Sequence, residues 1–194
     1  MNLLRHIYPA VALTVVLTVI VGIIYPFVMT GLSDLLFKEK ARGSLIEREG
    51  KVVGSRLIGQ PFNGEGYFHS RPSAAGSGYD ATASGGTNLG PTSKQLIGEQ
   101  VEGRSKQLRT ENPNVEIPID LITSSGSGLD PHITPAAADF QIPRVARERR
   151  MSEDEVRRLV SRHTEGRQFG VLGEPRINVL ELNLALDEAS KGGK

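Results

Sequence analysis

His69-Ser70-Arg71-Pro72-Ser73 sets an imidazole, two hydroxyls and a guanidinium in one short segment, and Asp80 follows closely. Hydrolytic chemistry would recruit His69 as general base, Asp80 as its orienting carboxylate and Ser84, Ser125 or Ser127 as nucleophile. None of these serines stands in the G-x-S-x-G context that exposes a nucleophile on a strand-to-helix turn. A simpler use of the same residues has Arg71 and Asp80 brace a loop through a charge-assisted hydrogen bond.

Gly85-Gly86-Thr87-Asn88-Leu89-Gly90-Pro91-Thr92 carries two glycines at Walker spacing ahead of a helix. Pro91 occupies the place of the phosphate-binding lysine, and no apolar strand precedes Gly85, so a true P-loop is not expected. What remains is a helix start near Thr92 and Ser93 whose free backbone donors could hold an anion, or a tight turn that simply caps the helix. Ser124-Ser125-Gly126-Ser127-Gly128, followed by Leu129-Asp130-Pro131-His132, is a second hydroxyl-rich loop. Two such loops can converge on a ligand or on a partner's backbone. Glu153, Asp154 and Glu155 read as a helix amino-terminal cluster favoured by the macrodipole, not as an acid-base pair. The four histidines show no ligand spacing and cysteine is absent, which excludes thiolate metal sites, disulfides and cysteine nucleophiles.

Net charge is +1 and the basic residues are scattered, so nothing resembles a nucleic-acid-binding stripe. Tryptophan is absent and glycine abundant, which predicts long ordered loops around a modest core.

These loops need elements to hold them. Ser44 to Ile46 and Lys51 to Ile58 flank Glu49-Gly50 and predict a hairpin that starts a small sheet, with Val53 and Leu57 facing the core. Pro61 to Ser93 predicts an ordered functional loop, anchored by Tyr67-Phe68-His69 and Tyr79. A helix is expected from Thr92, with Gln95 completing a capping box and Ile97, Val101 and Leu108 on one face, ending before Asn112-Pro113. Ile117 to Thr123 predicts an edge strand. Thr134 with Pro135 opens a helix that Pro143 should break or restart toward Arg149. Ser152 and Glu155 form a capping box ahead of Val156, Leu159, Val160 and His163 on one helical face. Phe169 to Leu172 predicts another strand, and Asn178 with Glu181 opens a last helix burying Val179, Leu182, Ala185, Leu186 and Ala189.

Between His6 and Asp34 no residue is charged, a run long enough to cross a bilayer once as a helix. The only Ala-x-Ala in this amino-terminal stretch, Ala10 to Ala12, lies at the start of the apolar run, which argues for a retained anchor over a cleaved signal. Pro26 should kink or end this helix near Tyr25. Flanking charges leave its orientation undecided, with Arg5 on one side and Lys38, Lys40 and Arg42 on the other. The expected class is α+β: one amino-terminal transmembrane helix, then a single mixed α/β soluble domain with a small sheet and several short helices. The expected division is an anchor over 1–36 with its span at about 9–31, a soluble domain over 37–190 and a frayed tail over 191–194.

Taken in order, the single span, Gly-Ser-Leu-Ile at 43–46, Gly66 to Ala74 (GYFHSRPSA), Ser84 to Pro91 (SGGTNLGP), Ser125 to Pro131 (SGSGLDP), Pro143 to Ala146 (PRVA) and Asn178 to Asp187 (NVLELNLALD) resemble the KdpC family of the Kdp potassium-transporting ATPase. The likeness runs nearly end to end. It implies an accessory subunit at the bacterial inner membrane that assembles with a potassium-channel-like subunit, a P-type ATPase subunit and a small stabilising subunit. The chain has no Asp-Lys-Thr-Gly phosphorylation motif and no selectivity-filter repeat of its own. The resemblance further implies a catalytic-chaperone role that raises the ATPase subunit's affinity for ATP, with ATP as a shared ligand and no cofactor held stably. It also implies that the soluble domain stands on the outer face. Nucleotide or partner contacts would come from His69, Ser70, Arg71, Asp80, Ser84, Gly85, Gly86, Thr87, Asn88, Ser125, Gly126, Ser127, Gly128 and Asp130. Ala83 to Thr87 is the candidate echo of the signature loop of ABC transporters, with Thr87 where that loop has glutamine. A membrane-anchored exoplasmic hydrolase using His69 and a loop serine is the alternative.

Overall fold

The computed structural model describes residues 4–192. Contacts divide the chain at Leu45/Ile46 into two compact units. In the first, α1 (Leu4–Val19), a π-helical turn (Ile20–Ile24) and α2 (Tyr25–Leu36) follow one another without a break. Arg5–Leu36, 32 residues, is the one helix among the described residues long and apolar enough to cross a membrane. Pro26 does not end it. A proline ring collides with the carbonyl four residues back, here Gly22, and leaves that oxygen without its donor. Widening the preceding turn relieves the collision, and the Tyr25 N–H reaches back five residues to the Ile20 carbonyl. A short helix, α3 (Lys38–Ala41), follows.

A hairpin starts at this division, β1 (Leu45–Arg48) and β2 (Lys51–Ser55), turned by Glu49 and Gly50 at φ of +51° and +74°. Two left-handed residues in succession form the turn whose twist matches the strands it joins. This hairpin is a sheet by itself. Val53 is half-buried, whereas Leu57 lies beyond the strand and is exposed, contrary to the alternation expected.

No regular element occupies Arg56 to Ser93. The helix after it is capped by Ser93, one residue later than expected, whose hydroxyl accepts from the Leu96 N–H at 3.4 Å. It is wound as a π-helix over Gln95–Glu102 and continues as α4 (Gly103–Glu111), stopping before Asn112 as predicted. Ile117 to Thr123 is not a strand. Its β-branched residues find no ladder, and a 3-10 turn (Ile119–Leu121) forms, closed by the Thr123 hydroxyl donating to the Ile119 carbonyl at 3.0 Å.

Thr134 caps α5 (Pro135–Arg149) by accepting from the Ala137 N–H at 3.2 Å. Pro143 neither breaks nor restarts this helix. The carbonyl it strands belongs to exposed Asp139, where water can serve it, while Phe140, Ile142, Val145 and Ala146 are buried on either side. Ser152 and Glu155 make the full capping box of α6 (Glu153–Arg162), which buries Val156 and Val160. A three-stranded antiparallel sheet in the order β3 (His132–Ile133), β5 (Arg176–Asn178), β4 (Thr164–Glu165) pairs Ile177 with both Ile133 and Thr164. Phe169 to Leu172, expected as a strand, is instead the tip of a turn closed by a single bridge between Gln168 and Leu172. Asn178 caps α7 (Val179–Gly192) through the Glu181 N–H at 3.2 Å. Of the tail expected to fray over 191–194, α7 includes the first two residues, and 193–194 lie outside the described residues.

The core joins α5, α6, α7 and β5 through Phe140, Ile142, Val145, Val156, Ile177, Leu182 and Leu186, and the long loop contributes Phe68, fully buried. Phe68 is held there by two side-chain amides. Asn183 on α7 accepts the Phe68 N–H at 2.8 Å and donates to the Phe68 carbonyl at 2.9 Å. Gln141 on α5 accepts the His69 N–H at 2.8 Å and donates to the His69 carbonyl at 3.2 Å. Replacing Asn183 with Leu keeps the volume but orphans both backbone groups of Phe68, and we expect a loss of about 2–3 kcal/mol. Urea unfolding of the detergent-solubilised chain checks this, and an unchanged midpoint would contradict it.

Candidate functional site

The two hydroxyl-rich loops do converge, and they converge on each other. The Gly85 N–H donates to the Ser127 carbonyl at 2.8 Å, and the Ser84 hydroxyl donates to the same oxygen at 3.0 Å. Gly86 lies against Gly126, whose carbonyl would stand 3.0 Å from a Cβ placed at 86. Gly128 has φ of +68°, and a Cβ there would meet the Gly85 carbonyl at 2.6 Å and the Ala75 nitrogen at 2.7 Å. Beneath them Ser73 acts as a hub. Its hydroxyl donates to the Gly128 carbonyl at 2.6 Å and accepts from the Tyr79 N–H at 2.7 Å and the Ala75 N–H at 3.2 Å. The Tyr79 hydroxyl returns to the Arg71 carbonyl, and burial pushes that phenol above its ordinary range. Ser125 and Ser127 turn inward on their own loop and accept the N–H groups of Gly128 and Leu129 at 3.0 and 3.1 Å.

Arg71 and Asp80, neighbours in sequence, do not pair. Arg71 Nη1 donates to Asp130 Oδ2 at 3.3 Å, and His132 Nδ1 stands 3.4 Å from the other oxygen, Oδ1, which also accepts the His132 N–H at 3.0 Å. Burial alone would raise the Asp130 pKa, but the hydrogen bonds from His132 and the Arg71 charge carry it below the ordinary carboxylate value. Asp80 closes its own turn instead, accepting from the Thr82 N–H at 2.9 Å and the Thr82 hydroxyl at 2.6 Å, and these bonds lower its pKa. Its reach is therefore local.

Nor does His69 meet a serine. Its Nε2 lies 3.2 Å from the Gly64 carbonyl, so this nitrogen carries the proton and donates. Burial, helped by the Arg144 charge, pushes the imidazole pKa below its ordinary value. Among the described residues no hydrogen bond joins His69 to Asp80, Ser84, Ser125 or Ser127, and no hydrolytic triad is assembled. Ser70 is half-buried, with its hydroxyl 3.5 Å from the Gln60 carbonyl. Thr87 is half-buried, and exposed Asn88 takes a left-handed φ of +53°. Among the described residues no group of three or more histidines and carboxylates could hold a metal ion.

The residues that fix this region were not nominated from the sequence. Arg144 on α5 donates from Nε to Glu111 at 2.7 Å, from Nη1 to the carbonyls of Glu65 and Tyr67, and from Nη2 to Gln141 Oε1 at 2.8 Å. Arg149 bonds the Gly66 carbonyl at 2.7 Å, pairs with Asp187 at 2.7 Å and lies 4.3 Å above the Tyr67 ring. The two clamping amides did leave a signal, as polar residues inside apolar runs: Gln141 between Phe140 and Ile142, and Asn183 between Leu182 and Leu184.

The sequence model of the KdpC family, described as the c chain of the K+-transporting ATPase, matches residues 7–188. The chain is 58% identical over 183 residues to the potassium-transporting ATPase KdpC subunit of Koribacter versatilis, covering 94% of each chain. It is 52% identical over 200 residues to the KdpC subunit of Bradyrhizobium diazoefficiens, covering 97% of this chain and 99% of the relative. For the KdpC subunit of Acidobacterium capsulatum the identity is 53% over 185 residues, covering 95% and 99%.

Two outcomes follow from the packing. Gly128→Ala combines a disfavoured φ with backbone collisions on two sides and is expected to cost about 2–4 kcal/mol, read by chemical unfolding. A folded-state His69 pKa below the unfolded value makes the folded state bind fewer protons, so stability is fully present above about pH 6.5 and falls as pH drops toward the depressed folded value. His69→Gln should flatten that part of the stability profile, measured by unfolding at pH 5 and 7.5.

Proposed function

Because this chain belongs to the KdpC family, the c chain of K+-transporting ATPases, we propose that it acts as a non-catalytic accessory subunit joining the potassium-channel-like, P-type ATPase and small stabilising subunits of the complex. The observation that carries the non-catalytic reading is how the candidate polar groups are used. His69, Arg71, Asp80, Ser84, Ser125, Ser127 and Asp130 each bond to the chain itself. A surface so braced suits recognition of a partner, where a preorganised backbone lowers the ordering cost of binding. In this reading the helix Arg5–Leu36 anchors the chain in the bacterial inner membrane, and the domain that follows stands on the outer face.

The chain then raises the ATPase subunit's affinity for ATP as a catalytic chaperone without a stable nucleotide site of its own. With the domain outside and ATP inside, the coupling passes through the membrane anchor and the assembled subunits. The loop surface of 73–90 and 124–130 is the part we assign to partner contact.

The absence of cysteine gives a direct test. Ser161 is exposed on α6, so Ser161→Cys, co-expressed with the other subunits, should be labelled in intact cells by a membrane-impermeant maleimide. Protection that ends only on lysis would overturn the outer-face placement and put the domain beside the nucleotide. In the purified complex, removing this chain should raise the KM for ATP, and an unchanged KM would remove the chaperone role.

A further inference from the structure

Phe169 is 93% exposed, and Val171 and Leu172 beside it are 71% and 57% exposed. An apolar cluster of this kind at the tip of a projecting turn makes no contribution to the core. The turn is nonetheless braced. Gln168 and Leu172 exchange two backbone hydrogen bonds of 2.9 Å each, and Arg167 Nη2 bonds both carboxylate oxygens of Glu174, at 2.9 and 2.7 Å, across the base. Arg176 and Glu165 pair at 3.0 Å just below.

The local conformation fits the residue poorly. Phe169 and Gly170 take φ of +52° and +77° in succession, a turn that asparagine, aspartate or glycine forms at less cost than an aromatic residue. A local rule is broken here, and among the described residues the ring, 93% exposed, gains no compensating burial. Strain and exposure on a braced scaffold point to a contact made outside it.

We propose that Phe169, Val171 and Leu172 form a plug that inserts into an apolar cleft on another protein chain of the K+-transporting ATPase; this rests on the reading of the chain as an assembled subunit. Charge selects a protein cleft over a lipid surface. Interfacial lipid binders set free Lys or Arg beside their aromatics, whereas both arginines at this base are neutralised by carboxylates. An apolar centre ringed by paired charges has the composition of a protein interface core and its rim. Three side chains cover far less than the roughly 1,200–2,000 Å² that a stable complex buries, so the plug is one anchor of a larger contact and not a dimer interface by itself. An inserted aromatic is the kind of residue that dominates such contacts.

The test uses the full chain co-expressed with its partner subunits. Phe169→Asp should lower recovery of this chain with the affinity-tagged ATPase complex by about tenfold or more, whereas Phe169→Leu should retain most of it. Circular dichroism should show both variants folded, because the ring touches no core. A photoreactive benzoylphenylalanine at position 169 should crosslink to another subunit. Recovery of Phe169→Asp equal to wild type, or adducts confined to lipid or to a second copy of this chain, would overturn the plug and leave the subunit reading intact. Failure of the wild-type chain itself to co-purify would overturn both.

Discussion

The domain depends on one constraint: a loop without secondary structure sends Phe68 into the core, and the backbone there must still find partners. Burying Phe68 takes its own peptide groups into the interior and half-buries those beside it, where an unpaired N–H or C=O costs on the order of 1–3 kcal/mol. A neighbouring strand would normally supply the bonds. Here Asn183 and Gln141 do so, each presenting one acceptor and one donor to a single residue, as a strand would. Arg144 completes the set with the carbonyls of Glu65 and Tyr67, and its own charge is met by Glu111. Two helices are therefore joined through a loop as well as through apolar contact. Such a fully satisfied buried network rigidifies what it holds.

From that fixed segment the remaining loops take their places in turn. Arg71 follows directly after the clamp and reaches Asp130, which also binds His132 at the start of β3. Ser73 then ties Gly128 to Tyr79, and Gly85 closes against Ser127. The segments 65–85 and 125–130 are thus tied together by a relay of polar contacts. Glycine is needed where two backbones touch, as at Gly128.

Features fixed by near neighbours in sequence were legible. The hairpin at Glu49-Gly50, the caps at Thr134, Ser152 and Asn178 and the end of α4 all depend on residues within one turn, and the long amino-terminal helix follows from one uninterrupted apolar run. Features fixed by distant partners were not. Phe68 and Asn183 are separated by 115 positions, His69 and Gln141 by 72, and no local pattern encodes either pairing. Arg71 was matched to Asp80 because they are close in sequence, while the fold gives it Asp130, 59 positions away. Strands of two or three residues such as β4 and β5 exist only because Ile177 has neighbours on both sides, and the more strand-like Phe169 to Leu172 has only the single bridge from Leu172 to Gln168. The resemblance to a family carried function further than any motif did, since the candidate residues bond within the chain instead of assembling a reaction centre.

The same use of polar groups separates two kinds of site. Holding a phosphate at the Gly85 loop would require free, convergent donors, yet the Gly85 N–H is taken by Ser127 and the Leu96 N–H at the helix start by Ser93. Opening that loop to a nucleotide would break bonds to the 124–128 segment, and the cost would be subtracted from any affinity gained. A protein partner asks for less, because it reads shape and the outward faces of groups already satisfied. Closed loops on a clamped scaffold are therefore better suited to docking than to nucleotide capture.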